Sequence, residues 1–166
     1  DIPEEKLSPH YETFEIGKAE VLREGADGAL LAYGAMVYRC LQAAEKLSEK
    51  GIEVTVVNAR FVKPLDKELI LELIRNHKLI ITAEDHALMG GFGSAVLELV
   101  SDERENVNKI LRMGIPDCFI EHGPRNLMLK NIGLDEGGIA DKFITTLDLM
   151  NIRGSFTKTG KQRLSV

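Results

Sequence analysis

Short apolar runs alternate with amphipathic stretches along most of the chain. Ala29 to Tyr33 is a compact apolar run bounded by glycines, the pattern of a strand buried on both faces. Met36, Val37, Cys40, Leu41, Ala44 and Leu47 then recur at helical spacing. Glu45, Lys46, Glu49 and Lys50 occupy the wet face, and Gly51 closes the helix. Val54 to Val57 predicts a second strand. Pro64 is expected to open a helix whose inner face carries Leu65, Leu69, Ile70, Leu73 and Ile74. Leu79 to Thr82 predicts a third strand. Gly90 to Gly93 leads into a helix with Ala95, Val96, Leu99 and Val100 on its apolar side. Ile110 to Met113 predicts a fourth strand, followed by helical patterns over 126–132 and 138–150. Ahead of all this, Phe14 to Arg23 reads as a mixed extended stretch and Gly25 to Gly28 as a turn.

Strands at this spacing, joined by helices of ten to fifteen residues, define a three-layer α/β/α domain. Its sheet is expected to be mainly parallel, mixed, and of about five strands. Residues 13–150 form this unit. Residues 1–12, interrupted by Pro3 and Pro9, read as a linker or arm from a preceding domain. Residues 151–166 read as a basic, flexible tail.

Composition narrows the function classes. In 166 residues, 44% are hydrophobic and 28% charged, as in an ordinary globular domain. No apolar run reaches the roughly 20 residues needed to span a bilayer. The opening residues are acidic and polar, without a secretory apolar segment, and the first is Asp, so the sequence reads as a piece of a longer protein. Net charge is −5, yet the tail holds Arg153, Lys158, Lys161 and Arg163 with no acidic residue, so the body is more acidic than the total. That balance argues against a nucleic-acid partner. Two distant cysteines, Cys40 and Cys118, form no metal or redox motif, and a reducing cytoplasm is the expected compartment.

Four segments carry candidate chemistry. Gly90, Gly91 and Gly93, with Ser94, sit between a strand and a helix, where helix amides can hold an anion. The place of the third glycine in the dinucleotide fingerprint is Val96, and no P-loop lysine follows. The competing reading is a tight turn that lets a neighbouring chain or domain pack closely. Glu84-Asp85-His86 falls at the end of the third strand, where ligands gather beside open parallel sheets. A carboxylate beside an imidazole can move protons, but three adjacent residues cannot share one pocket, and capping of the next turn plus an interface contact is the plainer account. Arg60, ending the second strand, can grip a phosphate or carboxylate, or tie its loop to Glu84. His122 follows the last strand and can approach the same sheet edge, or can simply be solvated. Serine-elbow, HExxH and Walker patterns are absent.

Residues 58–66, reading Asn-Ala-Arg-Phe-Val-Lys-Pro-Leu-Asp, resemble a segment of the 1-deoxy-D-xylulose-5-phosphate synthases. So does Glu84 followed by Gly90 to Val96, then Gly114-Ile115-Pro116-Asp117 with Phe119 to Gly123, then Leu129 to Gly138. The matches keep the family's order over about residues 14–148. The wider transketolase and 2-oxoacid dehydrogenase β-subunit group shares a looser pattern. The resemblance implies a transketolase C-terminal-type domain in a thiamine-diphosphate- and Mg²⁺-dependent transferase of isoprenoid precursor synthesis, a cytoplasmic homodimer. Synthases commonly follow the glutamate with Glu-Asn, where this chain has Asp85-His86. The family's cofactor motif, G-D-G followed by Asn-Asn, is not matched: Ala26 precedes Asp27-Gly28 and no Asn-Asn follows. The catalytic glutamate of the family lies in a middle domain. No catalytic, cofactor-binding or metal residue is therefore carried over. The resemblance implies instead that Arg60, Glu84, His86, Gly90, Gly91, Gly93, Ser94 and His122 form an edge that packs against the preceding thiamine-diphosphate-binding domains. The alternatives are a transketolase or oxoacid dehydrogenase parent, and a stand-alone anion-binding regulatory module.

Overall fold

The computed structural model describes residues 13–161, and within 152–161 only the backbone of a helix. The expected arm, residues 1–12, and the last five residues of the tail lie outside the described residues. Strands β1 (Glu20–Arg23), β2 (Gly28–Ala32), β3 (Val54–Asn58), β4 (Ile80–Ala87) and β5 (Ile110–Ile115) form one sheet in the order β1-β3-β2-β4-β5. The last four are mutually parallel, and β1 runs antiparallel along β3 as an edge. Helices α1 (Met36–Ser48), α2 (Lys67–Asn76), α3 (Phe92–Asp102), α4 (Arg125–Asn131) and α5 (Glu136–Lys161) complete the domain.

Side-chain alternation along β2 divides the core in two. Leu30 and Ala32 join Val54, Val56, Ile81 and the inner faces of α1 and α5 on one side. Ala29 and Leu31 join Val57, Ile80 and the inner faces of α2 and α3 on the other. This is the expected three-layer arrangement, and each fully buried Leu or Ile contributes roughly 1.5–3 kcal/mol. Among the described residues no helix is long and apolar enough to cross a membrane.

Local chemistry moves several predicted boundaries. Pro64 does not open α2. It follows Lys63 through a cis peptide bond, and the helix starts at Lys67. Asp66 is the N-cap, and its carboxylate accepts from the Leu69 amide at 3.2 Å and the Ala19 amide at 3.0 Å. Gly28 is not a turn residue but the first residue of β2. A side chain there would lie 2.5 Å from the Phe143 ring, so glycine admits α5 onto the sheet. Helix α5 continues past Met150 to Lys161, because no proline or cap intervenes where the apolar periodicity fades.

β2 is the first parallel strand and sits in the middle. The chain leaves it through α1 to β3 on one side, then crosses back through α2 to β4 on the other. The strand ends of β2 and β4 therefore face a crevice where their connections diverge, the switch point of an open α/β sheet.

Candidate functional site

Strand β4 runs five residues beyond the expected Thr82, so Glu84, Asp85 and His86 belong to the strand rather than to a loop. Alternation then separates them. Glu84, on the α3 side with Thr82, is 1% exposed. Its Oε2 accepts the Phe92 amide at 2.7 Å and its Oε1 the Gly93 amide at 2.9 Å. A buried carboxylate thus satisfies two amides at the start of α3 and opposes the helix dipole. The helix start that the sequence offered to a phosphate is filled by the chain's own anion. The α3 amides are therefore not open to an outside anion, and the glycines form a tight turn packed against this chain's own Glu84 and Thr82.

The glycines make that geometry possible. A Cβ on Gly91 would overlap the Glu84 carboxylate and the Ala87 carbonyl. One on Gly93 would lie 2.5 Å from Thr82 Oγ1, and one on Gly114 of β5 3.0 Å from Glu84 Cγ. Gly90 has φ +73°, the left-handed region. Arg112 of β5 closes the turn from below. Its Nη1 donates to the Leu88 carbonyl at 2.9 Å and to Ser94 Oγ at 2.7 Å. Ser94 Oγ donates to the Leu88 carbonyl at 3.2 Å and accepts from the Gly90 amide at 3.1 Å. Ser94 is therefore a buckle of the turn.

Asp85 pairs with Arg125 at the start of α4, and His86 is exposed. His86, Glu84, Gly90 and Gly91 line a cleft of about 490 Å³ at the switch point, together with Tyr33, Gly34, Ala35 and Val62. Its floor includes Phe92, stacked on Tyr33 with ring centroids 5.6 Å apart. Arg60 is elsewhere. Its Nη2 lies 2.7 Å from Glu20 Oε2 on β1, and its guanidinium sits 4.2 Å above the Phe14 ring. The expected tie from Arg60 to Glu84 is corrected: β3 and β4 are consecutive in sequence but β2 lies between them. Arg60 lines a separate cleft with Phe14, Glu20 and Asn58, and the two clefts share Tyr33 and Gly34. His122 is exposed in the loop after β5 and lines neither.

Cys40 is fully buried, and burial pushes its thiol up to about 12, so it is a core residue rather than a nucleophile. Arg112, Arg125 and Asp66 were not singled out by sequence reasoning. Asp66 carried a usable signal, an acidic residue directly ahead of an amphipathic run. Arg112, alone in an apolar strand, carried one only once Ser94 was known to lie beside it.

Fold and site together define a doubly wound α/β domain whose switch-point helix start is occupied by its own glutamate. The chain belongs to the transketolase C-terminal domain family, whose model, described as "Transketolase, C-terminal domain", matches residues 17–139. Over 134 residues it is 54% identical to 1-deoxy-D-xylulose-5-phosphate synthase 1 of Geobacter sulfurreducens, covering 81% of this chain and 21% of that protein. Over 145 residues it is 49% identical to the synthase of a Synechococcus strain, covering 87% and 22%. A split-gene transketolase solved as an inactive beta4 tetramer superposes with TM-score 0.75 at 34% identity, over 82% of this chain and 44% of that one. A transketolase variant from Pichia stipitis shares the fold, with TM-score 0.59 at 19% identity over 80% and 18%. The chain spans about a fifth of the length of the curated relatives it matches.

Proposed function

We propose that this chain is the C-terminal domain of a thiamine-diphosphate-dependent 1-deoxy-D-xylulose-5-phosphate synthase. The parent joins pyruvate and glyceraldehyde 3-phosphate, releasing CO₂ and forming 1-deoxy-D-xylulose 5-phosphate for isoprenoid synthesis in the cytoplasm. The observation that carries the reading is the identity of 54% and 49% with two named synthases over 81% and 87% of this chain.

Within that parent the chain supplies architecture. Its residues do not fit a diphosphate group, because the α3 amides that would cradle one already hold Glu84. Nor do three His, Cys, Asp or Glu side chains among the described residues converge as a ligand set for Mg²⁺. Thiamine diphosphate and Mg²⁺ belong to the preceding domains. Arg60, Glu84, His86, the Gly90–Ser94 turn and His122 serve the edge that packs on those domains and supports a homodimer.

A transketolase parent is the second reading, favoured by the 34% identity to the split-gene transketolase. One assay separates them. The parent polypeptide, given pyruvate, glyceraldehyde 3-phosphate, thiamine diphosphate and Mg²⁺, is expected to release CO₂ in step with deoxyxylulose phosphate. If pyruvate is inert and a ketose phosphate donates two carbons instead, the parent is a transketolase and the synthase reading falls.

A further inference from the structure

Helix α5 packs on the domain through Ile139, Ala140, Phe143, Leu147 and Met150, which share one side of its axis. That stripe ends at Met150, but a second has already begun. Leu149 is 55% exposed, and the spacing i, i+3, i+7 puts Ile152 and Phe156 on the same side of the helix as Leu149. At about 100° per residue, the second stripe lies roughly 160° around the axis from the first. The basic positions Arg153, Lys158 and Lys161 fall outside the second stripe, on the arc that continues the core-packing side. From Asn151 to Val166 the sequence holds four basic residues and no acidic one. This segment leaves the domain at the edge opposite the switch-point cleft. Helix α5 starts beside α1, where Glu136 pairs with Arg39 at 2.8 Å, and reaches the first residue of β2 by Phe143, whose ring abuts Gly28. Its backbone continues to Lys161, roughly 16 Å beyond Met150.

We propose that residues 149–161 form a basic amphipathic helical segment that lies on an anionic lipid surface, with the 149, 152 and 156 stripe as its apolar face. Charge complementarity selects the occupant, because a segment with only basic charges is drawn to anionic headgroups while its apolar stripe enters the acyl boundary. Two such segments repel each other, which disfavours a pairing of α5 ends from two copies. Gly154, Ser155, Thr157, Thr159 and Gly160 stand between the charged and apolar positions. Residues this small offer little relief for keying into a protein groove. What remains to be recognised is charge and apolar depth, which a bilayer surface supplies. The rest of the chain is acidic and is repelled by the same surface, so the contact is confined to this segment.

The test sediments the intact parent with vesicles of phosphatidylcholine alone and with vesicles holding about one-third phosphatidylglycerol. It reads binding without turnover, so its outcome is independent of the parent's reaction. Affinity for the anionic vesicles is expected to be about tenfold or more higher at low salt, and to fall as salt is added. Reversing the charges together, Arg153→Glu with Lys158→Glu and Lys161→Glu, should return it to the phosphatidylcholine level. Ile152→Asp with Phe156→Asp should lower it about tenfold. These positions lie past the core-packing stripe, so both variants should melt at the wild-type temperature, which separates lost binding from lost folding. Equal sedimentation with the two vesicle types overturns the proposal. So does anionic binding that survives either the charge reversal or the paired apolar change, because each removes one half of the amphipathic character. Retention on immobilised poly-glutamate without vesicle binding assigns the segment to an acidic protein and overturns the proposal as well.

Discussion

Glu84 Oε2 lies 2.7 Å from the amide nitrogen of Phe92, eight residues downstream and in the first turn of α3. With the Gly93 amide on the other oxygen, one side chain joins the centre of the sheet to the start of a helix on its face. Removing it leaves two buried donors without partners. Glu84→Ala is expected to cost about 2–4 kcal/mol, and Glu84→Gln, which turns an amide NH₂ toward one of those donors, about 2 kcal/mol. Urea unfolding of each variant checks both values.

Gly93 and Gly90 of the turn have different reasons to be glycine, and their alanine variants should separate accordingly. At Gly93 a methyl group meets Thr82 Oγ1 and the Arg112 side chain in a fully packed layer, so Gly93→Ala is expected to cost about 2–3 kcal/mol. At Gly90 the space is open and only the positive φ opposes a side chain, so Gly90→Ala should cost about 1 kcal/mol. Thermal unfolding that ranks Gly90→Ala as the worse variant contradicts this packing.

Arg60 and Glu20 form a partly exposed pair, and Arg60 has no contact with Glu84. A double-mutant cycle should give a coupling of about 0.5–1 kcal/mol for Arg60 with Glu20. The same cycle for Arg60 with Glu84 should be additive within about 0.5 kcal/mol.

How far the fold could be read from the sequence depended on where periodicity was the governing signal. β2, α1 and β3 emerged within a residue or two, because each buries a continuous apolar face. Sheet order was not legible from local pattern. That β2 separates β3 from β4 is a crossover decision, and it alone removed Arg60 from the neighbourhood of Glu84. The role of Glu84 was half legible: a capping residue was expected among 84–86, but which one depended on β4 extending far enough to point residue 84 toward α3. Arg112 was silent because its partners, Leu88 and Ser94, come from a separate turn eighteen or more residues away.

His77, at the end of α2, has its pKa lowered, first by burial and then by Lys109, with the Ala26 backbone opposing the shift. Its folded value lies below the ordinary 6.5 of a histidine, so the unfolded chain takes up the proton first. The stability it contributes is fully present above about pH 6.5 and declines as pH falls through that value. Glu53, Glu68 and Glu136, also lowered, act in the same direction only below their ordinary value of 4.5. Melting temperature should therefore drop between about pH 7.5 and 5.5, and the drop should shrink in His77→Asn, which does not titrate there.

On the proposed reading this chain gives its parent shape rather than chemistry, and Glu84→Ala in the intact parent tests that reading. The measurement is turnover per folded molecule, with KM for pyruvate and the affinity for thiamine diphosphate, at a temperature where the variant remains folded. An architectural Glu84 gives a lower melting temperature with turnover per assembled molecule, KM and cofactor affinity within about twofold of the wild type. A loss of turnover or cofactor affinity of about a hundredfold in fully folded, assembled protein would place Glu84 in the reacting site and contradict the account.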